Sequence, residues 1–403
     1  MAAVDPKILA VTSELAKSLQ AHVQYLASPA LMGRKPGTPG NRAAADYIQA
    51  RFREIGLAAL PSLGGYGQQL PDGLGDNLIG LRPATAPPAA APYLLIGAHY
   101  DHLGEAYLGA DDNASAVAIL IEVARRLPSL PRHHVLFMAF NAEEPPYIRT
   151  PRMGSQHFTD HLPPEIGAPT AFQAVIIMDI MGGVHWEPLR DAIFAAGAEK
   201  SPELYRRLKE TSGVLNDECG MMNVEQRNSS FSTQHSALSI LPVGMHLVEE
   251  IPLIGQVSFS DYDAFRNRSV PFLFLSSGRT PRYHQPSDLP DTLHYERMAA
   301  TVAWLQSLIT LLDQDREPYR FEPDRIEFTD EATTLRPLVE KAAEWETRIP
   351  GTSLISLWRL KRDRDWLARL NPAAPTQDDL TRLERLSIRM QCLLADFPAC
   401  FLL

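Results

Sequence analysis

Apolar residues along this chain follow two different spacings, and the alternation between them predicts the architecture. Leu9, Val11, Leu15, Leu19, Val23 and Leu26 recur at helical intervals, predicting a helix over residues 8–27. A glycine- and proline-rich link follows, and Asn41 offers an N-cap to a second helix over 42–55 that stops at Gly56. Residues 77–81, 93–98, 134–140, 174–178 and 271–275 are short runs apolar on both faces, the pattern of buried strands. Helical patterns at 114–127, 202–211 and 295–312 lie between or after them. The expected fold is α/β: a mostly parallel central sheet with helices on both faces, followed by a C-terminal helical appendage. Loops or a small hairpin are expected for 220–255. Residues 1–320 should form the main domain and 321–403 the helical extension, which carries Trp345, Trp358 and Trp366.

Composition narrows the class. A net charge of −10 argues against a surface for nucleic acid or an anionic membrane, since either needs a basic face. No apolar run approaches the ~18 residues a membrane span needs. The start, Met1 to Lys7, lacks a basic region leading into an apolar stretch, so no signal peptide is expected there. A cytoplasmic protein and a trimmed periplasmic or secreted one both fit. Three cysteines, Cys219, Cys392 and Cys400, are too few and too scattered for a disulfide framework; Cys392 and Cys400 could pair with each other, but free thiols are the expected state.

Candidate chemistry sits where the expected strands end. His99, Asp111, Glu144, Asp179 and His284 all fall at such positions, and a parallel sheet binds ligands beyond the carboxyl ends of its strands. Two imidazoles and three carboxylates suit a pair of borderline divalent ions such as Zn²⁺. By residue type, His99 and Asp179 serve one ion, Glu144 and His284 the other, and Asp111 bridges. Each ion then keeps an open position for a shared water, the pattern of catalytic sites. Glu143 is left over as a general base. Asp101 is placed to fix the His99 tautomer, Asp288 to do the same for His284, and Tyr283 to donate to an oxyanion. The pair His157 and His161 lacks the glutamate of a His-Glu-x-x-His motif, since Phe158 stands there, and reads as surface histidines. His102 lies near the site without the spacing of a ligand, which leaves it either a role in supporting a ligand or lining the pocket, or none, and the serine-rich stretch 229–239 contains no nucleophile elbow.

Taken together, Ala98-His99-Tyr100-Asp101, Gly109-Ala110-Asp111-Asp112-Asn113, Ala142-Glu143-Glu144, Met178-Asp179 and Tyr283-His284-Gln285-Pro286-Ser287-Asp288 resemble, in identity and order, the motifs of the M28 family of di-zinc peptidases. The resemblance spans residues 20–315 and includes Gly33-Arg34 and Asn77-Leu78-Ile79-Gly80. It implies a zinc-exopeptidase sandwich, two Zn²⁺ ions, exopeptidase action on peptides, Glu143 as general base, and a cis peptide joining Asp111 and Asp112. Two places depart from the family: Tyr262 follows Ser260-Asp261 where His is common, and the connection 145–151 is long. That connection and 220–255 are expected to shape the pocket. Removal of an N-terminal residue is the expected activity. A metallocarboxypeptidase or glutaminyl cyclase of the same family, and a non-catalytic receptor on this fold, are the alternatives.

Overall fold

The computed structural model describes residues 6–88, 91–212, 238–251 and 255–396. Its strands are β1 (Gly67–Gln69), β2 (Asp76–Arg82), β3 (Tyr93–His99), β4 (His134–Phe140), β5 (Phe172–Met178), β6 (Ala192–Ala196), β7 (Ser239–Val243), β8 (Glu250–Ile251), β9 (Gly255–Gln256) and β10 (Phe272–Ser276). Eight of them form one mixed sheet in the order β1-β2-β4-β3-β5-β10-β6-β7, and β8 and β9 pair separately. The centre is parallel: β3 pairs with β4 and with β5, and β5 with β10. Their carboxyl ends therefore open on one edge of the sheet.

The helices are α1 (Pro6–Leu26), α2 (Pro39–Ile55), α3 (Ala116–Arg126), α4 (Gly154–Asp160), α5 (Pro202–Thr211), α6 (Met245–Glu249), α7 (Tyr262–Arg266), α8 (Tyr295–Leu312), α9 (Phe328–Ala343), α10 (Leu354–Leu367) and α11 (Gln377–Leu394). Alternate strand residues serve opposite faces, as a pleat requires. Leu94, Ile96, Phe137 and Ile176 pack with the residues of α1, α2, α3 and α8. Leu95, Leu136, Met138 and Ile177 pack instead against Phe158 of α4 and Phe265 of α7.

Several expectations shift. The cap of α2 is Thr38, whose side chain accepts from the Asn41 amide, with Pro39 in the first turn. Asn41 is buried instead and its Nδ2 donates to the Arg34 carbonyl and to Asn141. Gly56 ends α2 in the left-handed region at φ 78°, where glycine carries no Cβ penalty. Within 220–255 the antiparallel β8–β9 pair agrees with the small hairpin expected there, while β7, parallel to β6, was not expected; 220–237 and 252–254 lie outside the described residues. Cys392 is disulfide-bonded, which corrects the free-thiol expectation for that residue.

The C-terminal helices are present and have their own apolar cluster. Leu335, Val339, Leu360, Leu383 and Leu386 gather there with Trp186, Leu189 and Ala192, and Leu247 of α6. The Trp186 indole also donates to the Thr347 carbonyl at 2.6 Å. This cluster borders β6 and the connection that follows Asp179.

Candidate metal centre

Four strand ends deliver the polar residues. His99 closes β3, Asp179 follows β5, Glu143 and Glu144 lie three and four residues past β4, and His284 sits in the turn after β10. The loop that leads into α3 brings Asp111 and Asp112. The His99 Nε2 is 3.3 Å from Asp112 Oδ1 and 3.4 Å from Asp179 Oδ1. The His284 Nε2 is 3.2 Å from Asp112 Oδ2 and 3.1 Å from Glu144 Oε2. One carboxylate thus faces both imidazoles, one oxygen to each.

That carboxylate belongs to Asp112, and the bridging position expected for Asp111 is corrected accordingly. Asp112 is extended at φ −107°, ψ 93°, and adjacent residues of an extended segment point to opposite sides. Asp111 turns toward the connection after β5, where its Oδ1 accepts from the Gly182 amide at 2.7 Å. Burial first, and Asp288 beside it, push the Asp111 carboxyl up to about 7. The cis peptide joins Asp112 and Asn113, one bond later than the resemblance implied. Asn113 ties this loop to β5 by donating to the Met178 carbonyl and accepting from the Ile180 amide.

Other roles also move. The His99 Nδ1 lies 3.2 Å from the Asp101 carbonyl, closer than the 3.6 Å to that residue's carboxylate. With Nδ1–H donating to the carbonyl, Nε2 is left facing the acids. The Asp101 carboxylate instead accepts from the Glu143 and Glu144 amides, at 3.1 and 3.2 Å, and so holds both glutamates in place. Asp288, expected to orient His284, accepts from the Asp111 and Asp112 amides and fixes that loop. Tyr283 stacks on His284 with ring centroids 3.9 Å apart. Burial holds its phenol well above the usual range, so the hydroxyl keeps its proton. Tyr262 is buried against Phe272 and Phe274, and its hydroxyl donates to Glu249. His157 and His161 stack on each other, and no metal-ligand cluster among the described residues contains either.

Arg34 and Asp261 have roles that sequence reasoning did not assign, and the supporting role open to His102 becomes specific. His102 is fully buried, and its Nδ1 meets Glu144 Oε1 at 2.6 Å. Arg34 is equally buried and donates to four carbonyls, those of Leu26, Tyr100, Leu108 and Gly109. It therefore pins the end of β3 and the start of the aspartate loop in one step. Asp261, buried near His99 and Asp179, is pushed up to about 7, chiefly by desolvation. The sequence signal for each was present: His102 follows the His99 motif, Arg34 belongs to Gly33-Arg34, and Asp261 to Ser260-Asp261.

The donor set fits divalent cations. Asp101, Asp111, Asp112, Glu143, Glu144, Asp179, Asp261 and Asp288 are all buried around it, with Arg34 and Arg297 the buried guanidinium groups nearby. So many carboxyls cannot stay ionised in a dry site without further positive charge. Burial by itself would lower the His99 pKa, but Glu143, Asp101, Asp112 and Asp179 push it well above the usual range. Burial and neighbouring acids raise the Glu143 carboxyl well above the usual carboxylate range, and its Oε1 has no partner among the described residues. Two groups of ligand atoms converge, His99, Asp112 and Asp179 in one and His102, Asp112 and Glu144 in the other.

Residues 77–309 match the profile of Peptidase family M28, more than half of the chain. The chain belongs to peptidase family M28. It is 28% identical over 237 residues to the uncharacterized protein YfbL of Escherichia coli, spanning 56% of this chain and 68% of that protein. It is 26% identical over 325 residues to the glutaminyl-peptide cyclotransferase of Bothrops jararaca, spanning 72% of this chain and 81% of the relative. The fold is similar to that of the LapA aminopeptidase of Legionella pneumophila, with a TM-score of 0.55 and 16% identity over 79% of this chain and 78% of that one. As an M28 member the chain has a peptidase-type hydrolase fold with candidate zinc-binding groups.

Proposed function

We propose that this M28 protein is a two-zinc exopeptidase that removes the N-terminal residue from peptides. The observation that carries the reading is the Asp112 carboxylate, set between the His99 and His284 imidazoles with one oxygen to each. His99, Asp112 and Asp179 would hold one ion; Asp112, Glu144 and His284 would hold the other. His102 serves to orient Glu144. When bound, such ions polarise a scissile carbonyl and lower the pKa of water.

The protein's own groups do the rest. Glu143, with a free oxygen and a backbone held by Asp101, takes a proton from the attacking water and returns it to the leaving amine. Tyr283 keeps its proton and donates toward the oxyanion. The free α-amine of a peptide finds anionic partners in Glu143 and Asp179.

Aminoacyl anilides compared with their N-acetylated forms test the polarity. Release is expected only from the free amine, is lost on chelation, and falls by about 10²–10⁴ in kcat for Glu143→Gln with metal content unchanged. Turnover of N-blocked substrates alone, or ring closure of N-terminal glutamine without hydrolysis, contradicts the proposal.

A further inference from the structure

Arg279 is an exposed side chain held in one orientation. It follows β10, and its guanidinium centre lies 4.5 Å from the Phe259 ring centroid and 4.8 Å from that of Tyr283. Two aromatic faces at these distances hold a planar cation by cation–π attraction and restrict its rotamers. Tyr283 in turn stacks on His284, with planes 19° apart, so Arg279 is next to the ring that packs on His284. Among the described residues no carboxylate lies within ion-pair distance of Arg279, and no hydrogen-bond acceptor meets its N–H groups.

Four other arginines contrast with it. Arg34 and Arg297 spend their donors on backbone carbonyls, Arg282 donates to the Val184 carbonyl, and Arg152 pairs with Asp72. Arg279 therefore presents a pre-positioned fork of donors beside a centre otherwise lined by carboxyls. A guanidinium so arranged matches a carboxylate in bidentate geometry, and its fixed orientation lowers the entropy cost of binding one.

We propose that Arg279 forms a carboxylate subsite on the leaving-group side of the cleft. The inference rests on the exopeptidase reading for its polarity. On that reading Glu143 and Asp179, both beside His99, receive the α-amine, and Arg279, next to the ring that stacks on His284, is left to the residue after the scissile bond. The substrate class so selected is short peptides with an anionic group in the residue after the scissile bond. That anion is either the free carboxylate of a dipeptide or an acidic side chain.

Two matched pairs of substrates test this with the zinc-loaded full chain: Leu-Ala against Leu-Ala-amide, and Leu-Glu-amide against Leu-Gln-amide. The wild type should favour the carboxylate member of at least one pair by about tenfold to a hundredfold in kcat/KM, mainly through KM. The pair that responds identifies the source of the anion. Arg279→Met should bring that ratio toward one, and Arg279→Lys should retain part of it. Ratios near one in the wild type, or a wild-type preference that persists in Arg279→Met, overturn the subsite. If none of the four is hydrolysed, the exopeptidase reading fails, and the subsite is then read by calorimetric titration with N-acetylalanine and N-acetylalaninamide. Tighter binding of the acid, lost in Arg279→Met, sustains it; equal binding refutes it.

Discussion

Adjacent aspartates divide the work at the centre of the site. Asp112 faces both imidazoles, while Asp111 accepts from the Gly182 amide on the other side of the loop. Asp112→Asn should therefore reduce bound metal below two equivalents and lower kcat/KM by at least about 10², as expected when a shared ligand is lost. Asp111→Asn should keep both ions, with affinity weakened by no more than about 10–100-fold, the usual cost of an outer partner. Metal analysis by mass spectrometry checks both, and the reverse ranking would return the bridge to Asp111. The residue types at the strand ends were legible in the sequence. Which of two neighbouring acids faces inward was not, because a loop held by Asp288 and Asn113 sets that direction. Likewise His99 reads as a ligand from its motif, but the Asp101 carboxylate was assigned to His99 rather than to the Glu143 and Glu144 amides 42 and 43 residues away.

Elements were readable where their pattern was long or continuous. The central strands β3, β4 and β5 and the helices α1, α3, α5 and α8 lie close to their expected limits, since each buries a run that alternates or recurs cleanly. β6 and β7 escaped: three of the five residues of Ala-Ile-Phe-Ala-Ala are alanines, which favour strands little, and Pro242 argues against a strand interior. Their position matters for pH dependence. Just after β6, Glu199 is buried and accepts from the Met245 amide at the start of α6. Desolvation, with Glu331 adding to it, raises its carboxyl to about 7. Because the folded pKa exceeds the unfolded one, the folded state binds the extra proton between them. This group's favourable contribution is complete below the ordinary carboxylate pKa and is lost as pH rises through about 7. Glu199→Gln should remove that dependence and stabilise the protein by about 1–3 kcal/mol at pH 8 relative to wild type. Urea unfolding at pH 5 and pH 8 measures it; parallel changes in both proteins would contradict the assignment.

At the scale of the whole molecule, the C-terminal helices are built onto the sheet's β6–β7 side. We place the boundary near residue 320, between α8 and α9, yet the apolar cluster beyond it includes Trp186, Leu189, Ala192 and Leu247 of the main body. Deleting residues 328–403 would uncover this face, and exposed apolar patches of that kind promote association. The truncated chain should aggregate or lose most of its soluble yield, as gel filtration would show. A soluble, fully active truncation would mean that the extension is dispensable to the fold. The helical character of this region was plain in its sequence, but its docking was not, because its partners come from distant segments, among them Ala192 of β6 and Leu247 of α6. The central claim concerns two cations astride Asp112. Anomalous diffraction at the zinc edge from zinc-loaded crystals tests it directly. The account predicts two peaks, one among His99, Asp112 and Asp179 and one among Asp112, Glu144 and His284. A single peak, or a pair without Asp112 between them, would contradict it.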